Sequence, residues 1–102
     1  MRRFLLSVAP TLLLLQVAFA QSDSLTANPI FQKDCAKCHG KTAEGRHFGG
    51  PSLTSAKVAS APDEDVRKMI TDGKGRMPKF AGKLTQEEID TLVSEIKNAS
   101  RK

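Results

Sequence analysis

Five residues, Cys35-Ala36-Lys37-Cys38-His39, constrain this chain more than any other stretch. Cys35 and Cys38 are its only cysteines, and a histidine follows the second directly. On a helical turn, residues three and four apart share a face, so Cys35 lies beside both Cys38 and His39. Such a cluster has four chemical readings: a disulfide, part of a zinc site, a thiol redox pair, or a covalent haem anchor. Each makes a different protein, and the surrounding residues have to decide.

The chain opens with Arg2 and Arg3, then a largely apolar run from Phe4 to Ala20 that ends in the small-x-small triplet Ala18-Phe19-Ala20. This pattern predicts a secretory signal peptide over residues 1–20, cut after Ala20, so that the mature chain is exported. A retained membrane anchor fits less well. The apolar run is interrupted by Pro10, Thr11 and Gln16, and a spanning helix needs about 20 apolar residues. No cysteine follows the leader, which excludes lipidation there. After cleavage no membrane span is expected, and the remainder, residues 21–102, is one domain.

A domain of that size is marginal for a core built from side chains alone, and chains this small usually carry a staple or a bound group. The mature aromatics are only Phe31, Phe48 and Phe80, with no Trp or Tyr. Something else has to fill the middle, and these phenylalanines are candidates to line it. Losing Arg2 and Arg3 takes the net charge from +5 to +3. The basic residues are interspersed with acids and no recognition motif appears, so nucleic acid is not a partner.

Residues 21–27 read as a loose polar tail. A first helix follows, capped by Asn28 with Pro29 at its first position. Residues 40–53 read as loop, and 54–61 are ambiguous. A second helix starts at Pro62 with acids in its first turn, carries Val66, Met69 and Ile70 on one face, and stops at Gly73. Met69 is expected in the core. The last helix is the clearest: Thr85 and Glu88 form a capping box, and Ile89, Leu92, Val93 and Ile96 make one apolar stripe. Lys97, Arg101 and Lys102 lie near its negative end. No strand pattern of useful length appears, so the fold class is all-α.

These elements decide among the four readings. A redox C-x-x-C belongs in a strand-helix-strand setting, which is missing. Zinc needs four ligands, and Cys35, Cys38 and His47 have no second ligand pair to complete them. A disulfide between Cys35 and Cys38 would close a tiny loop and constrain little. Two thiols on one side of a macrocycle can instead add to its vinyl groups while the adjacent imidazole reaches the iron, and C-x-x-C-H is the spacing of c-type haem attachment.

With that, the chain resembles a small bacterial class I cytochrome c, of the short kind related to cytochromes c6 and c553. Three blocks carry the resemblance, Cys35–Gly40, Gly49–Leu53 and Gly75–Phe80, followed by a C-terminal helix. It runs from about Ala27 to Ile96 and implies three or more short helices wrapped round one covalently attached haem c, within residues 28–102. It implies thioethers at Cys35 and Cys38, His39 as proximal iron ligand, the Pro51 carbonyl as acceptor of that histidine's N–H, and Met77 as distal ligand. One departure stands out. The family often crosses a glycine of the first helix with an aromatic of the last, where this chain has Ala27 and Glu95.

Met77 has a case of its own: it lies in a glycine-rich loop, directly before Pro78, and a thioether is a soft, neutral ligand suited to haem iron. The alternatives are Met69, in helical register with core positions, and His47, read as a surface loop residue. Lys33, Lys37 and Lys41 flank the first block, and Lys74, Arg76, Lys79 and Lys83 the third. These could form a basic rim that steers an acidic redox partner. The reading is a monomeric, soluble periplasmic carrier that takes one electron from a protein donor and gives it to a protein acceptor, and no enzyme. Two alternatives remain open: a haem-based sensor whose Met77 is displaced by a ligand, and a dedicated electron-accepting subunit of a periplasmic dehydrogenase.

Overall fold

The computed structural model describes residues 24–101. The expected signal peptide and the first residues of the expected tail lie outside them. The end of that tail is not loose. Leu25–Ala27 forms a 3-10 turn, and Leu25, an isolated apolar residue in a polar stretch, is only 1% exposed. The turn packs on the last helix of the chain.

Asn28 caps the first helix: its Oδ1 accepts the Ile30 N–H at 2.8 Å. The helix then widens. Phe31–Cys35 is a π turn, in which the Ala36 N–H donates to Phe31 O, five residues back. Helix α1, Ala36–His39, completes it. One wide turn shifts the register by a single residue, which a sequence pattern this short does not reveal, and such turns recur at functional sites.

The ambiguous stretch holds a short helix, α2, Ala56–Ser60, with Ser55 Oγ accepting the Val58 N–H at 3.3 Å. Helix α3, Asp63–Asp72, carries Asp63, Glu64 and Asp65 in its first turn, at the positive end of its dipole, and ends at Gly73. Ile70 is buried and Val66 packs against the core. Met69 corrects the sequence reading, since it is 41% exposed. The buried stripe of α3 is the narrow i, i+4 pair Val66 and Ile70, and Met69 falls at its edge.

Helix α4, Gln86–Ser100, forms as expected. Both arms of its capping box are made: Thr85 Oγ1 accepts from Glu88 N at 3.1 Å, and Glu88 Oε1 accepts from Thr85 N at 2.8 Å. Its stripe Ile89, Leu92, Val93 and Ile96 is buried with Leu25, Phe31, Ile70 and Phe80 in one core. Helices α2 and α3 and the 3-10 turn all pack on α4, so this amphipathic helix organises the rest. No strand occurs among the described residues; the only pairings are isolated bridges at Lys74–Met77 and Ala81–Leu84.

Three polar links fix α4 to its neighbours. Asn28 Nδ2 donates to Glu95 Oε1 at 2.6 Å, with Glu95 buried. Beside Ala27, where the resembled family has a glycine, this chain makes a side-chain hydrogen bond from Asn28 to α4. Arg67 Nε donates to Asp90 Oδ1 at 2.7 Å, joining α3 to α4. The hydrogen bonds from Arg67 and then Gln86 hold the Asp90 carboxyl below the usual carboxylate range. The pair is exposed, so its contribution to stability is small.

The third link is Lys97, only 5% exposed. Its Nζ donates to Val58 O at 3.0 Å, to Ala59 O at 2.7 Å and to Ala61 O. An ammonium has three protons, and here each meets a carbonyl at the negative end of α2. The sequence placed Lys97 at the end of its own helix, but it caps another. Lys97→Met should therefore lower unfolding free energy by roughly 2 kcal/mol, since hydrogen bonds to a charged group contribute about 1.5–3 kcal/mol. Guanidinium titration followed by helical dichroism measures it. A loss below about 0.5 kcal/mol, the size of an ordinary surface substitution, would show that water serves those carbonyls equally well.

Candidate haem site

Cys35 and Cys38 are free, half-buried thiols at the two ends of one helical turn, and His39 follows, largely buried. The helix stops there, because Gly40 adopts φ +85°. A helix end leaves its last four carbonyls without intrahelical partners, and the following loop supplies them all. Cys38 O accepts from Gly50 N at 2.6 Å, His39 O from Gly45 N at 2.7 Å, and Gly40 O from Ala43 N at 3.1 Å. Lys37 O accepts from the Arg46 guanidinium at 2.6 Å.

The same loop delivers Pro51 to the histidine. His39 Nδ1 lies 2.7 Å from Pro51 O. A carbonyl can only accept, so Nδ1 carries the proton and Nε2 keeps its lone pair. The arrangement leaves a nitrogen with a lone pair, able to take a metal, on the residue that follows the second thiol. Gly50 closes in from one side: a Cβ there would lie 2.8 Å from Cε1 and 2.9 Å from Nδ1 of the ring.

Met77 sits in a tight turn in which Lys74 N donates to Met77 O at 3.1 Å and Met77 N to Lys74 O at 3.0 Å. Gly73, at φ +72°, allows this: a Cβ there would lie 2.5 Å from Met77 O. The Met77 side chain is half-buried and packs against the core. His47 is exposed, edge-on to Phe48 with ring centroids 4.6 Å apart. Phe48 is 89% exposed, whereas Phe31 and Phe80 are buried. Of the three phenylalanines, only Phe31 and Phe80 can fill an interior. The sequence reading missed Gly50 and Arg46. Gly50 lies inside the Gly49–Leu53 block and Arg46 just before it, but their contacts are made by folding.

The Cys35 thiol does not suit redox exchange. Burial first, and then the neighbouring Asp34 carboxylate, push the Cys35 thiol up to about 11. An exchange cysteine needs a lowered value. Nor does zinc find its ligands, because no cluster of three or more His, Cys, Asp and Glu side chains suited to a metal forms among the described residues. The donors present fit haem c: two unpaired thiols one turn apart, an imidazole with Nε2 available, a glycine cradle against its ring, and a half-buried thioether. Bound there, the haem supplies the iron that gains and loses the electron. In haem-free chain, iodoacetamide at pH 8 should label Cys35 no faster than an ordinary free cysteine; markedly faster labelling would restore the redox-pair reading.

The comparisons agree with this chemistry. Residues 24–94 match the family model described as "Cytochrome C oxidase, cbb3-type, subunit III". Cytochrome c6 of Porphyra purpurea is 33% identical over 92 residues, covering 85% of this chain and 80% of the relative. The cbb3-type cytochrome c oxidase subunit FixPc of Rhizobium leguminosarum bv. viciae is 37% identical over 70 residues, which cover 66% of this chain and 23% of that subunit. Among solved structures, the c-type cytochrome NirC superposes with a TM-score of 0.61 at 28% identity, covering 72% of this chain and 85% of that one. The c6 of the diatom Phaeodactylum tricornutum, TM-score 0.62 at 21% identity over 76% of this chain and 95% of that one, shares the fold.

Fold and site thus define a haem-bearing electron carrier of the all-α kind. The chain belongs to the c-type cytochromes matched by the cbb3 subunit III family model, as a small class I member akin to cytochrome c6. Members of this family carry one covalently bound haem c and transfer electrons without being enzymes.

Proposed function

We propose that this chain is a soluble periplasmic one-electron carrier. Its haem is joined through Cys35 and Cys38, and its iron lies between His39 and Met77. The observation that carries the reading is the 2.7 Å contact between His39 Nδ1 and Pro51 O, which leaves Nε2 to the metal directly beside the two thiols. Orienting a ligating imidazole through its other nitrogen also raises its basicity. Thioether ligation on the opposite side favours the ferrous state and raises the potential. Were His39 and Met77 both to ligate the iron, the protein would leave no ligand position for a substrate.

The export reading rests on residues 1–20. No helix of the described residues is long and apolar enough to cross a membrane. The basic rim is supported by exposure and by distribution. Lys33, Lys37, Lys41, Lys74, Arg76, Lys79 and Lys83 are all exposed, and no acid stands between Asp72 and Glu87. Asp63, Glu64, Asp65, Glu87 and Glu88 sit at the first turns of α3 and α4, while Asp34 and Asp72 lie beside the basic blocks. An acidic redox protein would be steered to the Met77 side of the molecule.

A second reading, a haem domain committed to one redox complex, is favoured by the likeness to a subunit of an oxidase. The correspondence with cytochrome c6 from Leptolyngbya boryana, 29% identical over 84 residues that make up 98% of that protein, favours the carrier. Stable co-purification with one partner would decide for the complex.

Intact mass after acid and organic extraction should show residues 21–102 plus one haem. Free haem and an unmodified chain would sink the attachment, and a mass that retains residues 1–20 would turn the soluble carrier into an anchored one. Met77→Ala should keep its haem, show a lower potential, and bind carbon monoxide in the ferrous form. An unchanged spectrum would move the distal ligand elsewhere.

The steering reading has its own test. Long-range attraction is screened over about 8 Å at physiological ionic strength. The second-order rate with an acidic acceptor should therefore fall as salt rises, and Lys79→Glu should slow it while sparing the spectrum. A rate indifferent to salt would leave docking to apolar contact.

A further inference from the structure

Gly50 is a glycine for a reason that backbone conformation does not supply. Its φ is not positive, unlike that of Gly40, Gly45 or Gly73, so an alanine could adopt its backbone. What excludes a side chain is the imidazole of His39, at 2.8 and 2.9 Å from a Cβ, with Cys38 O next at 3.3 Å. The Gly50 N–H is meanwhile tied to Cys38 O at 2.6 Å. Gly50 therefore cannot retreat from the ring without breaking a bond to the helix that carries it.

A second contact closes the same turn. Arg46 N donates to Gly50 O at 3.2 Å, and Gly49 N donates to Arg46 O at 3.1 Å. The Arg46 side chain reaches back to Lys37 O. One residue thus grips both the cysteine turn and the Gly50–Pro51 segment. The ring of His39 is bounded by Gly50 and tethered by Pro51 O, and Arg46 latches both to α1.

We infer that Gly50 and Arg46 are positioning residues that set the plane of the His39 imidazole and the strength of its bond to Pro51, and through these tune the reduction potential. This rests on His39 being the proximal ligand. A strong Nδ1–H···O bond makes the imidazole a better donor and favours ferric iron. Weakening it raises the potential. Loss of a nearby positive charge does the opposite, because a cation favours the ferrous state. The two effects of replacing Arg46 therefore differ in sign.

The test uses haem-loaded protein and three readouts: the potential, the ferric haem-methyl proton shifts, which report the direction of the imidazole plane, and solvent exchange of the His39 Nδ1 proton in the ferrous form. Gly50→Ala should raise the potential, redistribute the methyl shifts and speed exchange roughly fivefold, the equivalent of one ordinary hydrogen bond. Loosened packing alone would lower the melting temperature and leave the methyl pattern in place, which would overturn the inference. Arg46→Met, an exposed substitution, keeps the question answerable if Gly50→Ala does not mature. A raised potential with faster exchange supports the latch, and a lowered potential with unchanged exchange removes it. Wild-type protein provides the control. Hyperfine-shifted His39 ring protons with unresponsive variants defeat the inference alone, whereas their absence defeats the ligand assignment and the inference together.

Discussion

The last turn of α1 has to end at His39, and the rest of the site depends on how its carbonyls are satisfied. A helix end this close to a buried histidine cannot leave four acceptors bare. The loop from Gly40 to Pro51 provides donors for all four, three from backbone and one from Arg46. In doing so it brings the Pro51 carbonyl to Nδ1 of the histidine. The hydrogen bonding that terminates the helix also fixes the tautomer of the His39 imidazole, the side chain proposed to ligate the iron. Local folding and chemical function are the same set of contacts here.

The remainder of the chain is a frame for that turn. Helix α4 presents one apolar stripe, and three short segments settle on it. Apolar burial is modest in a chain without Trp or Tyr, so polar links carry an unusual share of the specificity. Lys97 serves the carbonyl end of α2, and Asn28 meets Glu95 at the crossing of the first and last helices. A buried hydrogen-bonded group gains little in net stability. It does penalise wrong registers, since any other packing would leave that group unsatisfied. In a domain whose interior is to be completed by a cofactor, fixing the register of helices before the cofactor arrives has an evident use.

The relatives sharpen what is general and what is particular. Likeness extends to cytochromes c6 and to a subunit of an oxidase, so the same haem domain occurs as a carrier and as a part of a larger electron-transfer protein. Here the segment from Gly73 to Gln86, around Met77, carries only basic charges, and five acids sit in the first turns of α3 and α4, where they complement the helix dipoles.

Much of this was legible in the residues. The C-x-x-C-H spacing, the capping box of Thr85 and Glu88, and the stripe from Ile89 to Ile96 depend on neighbours within one turn or two, so sequence alone determined the last helix, the all-α class and the haem chemistry. Other features were decided only by tertiary structure, because their partners are distant along the chain or their geometry is not periodic. Lys97 finds carbonyls 36 to 39 residues away, and Glu95 finds Asn28 from 67 residues away. Met69 leaves the core because the stripe of α3 is narrower than its composition suggests. Leu25 joins the core because α4 offers a place for it. Gly50 looks like any loop glycine until the ring of His39 is laid against it, and what requires glycine there is the space that ring occupies.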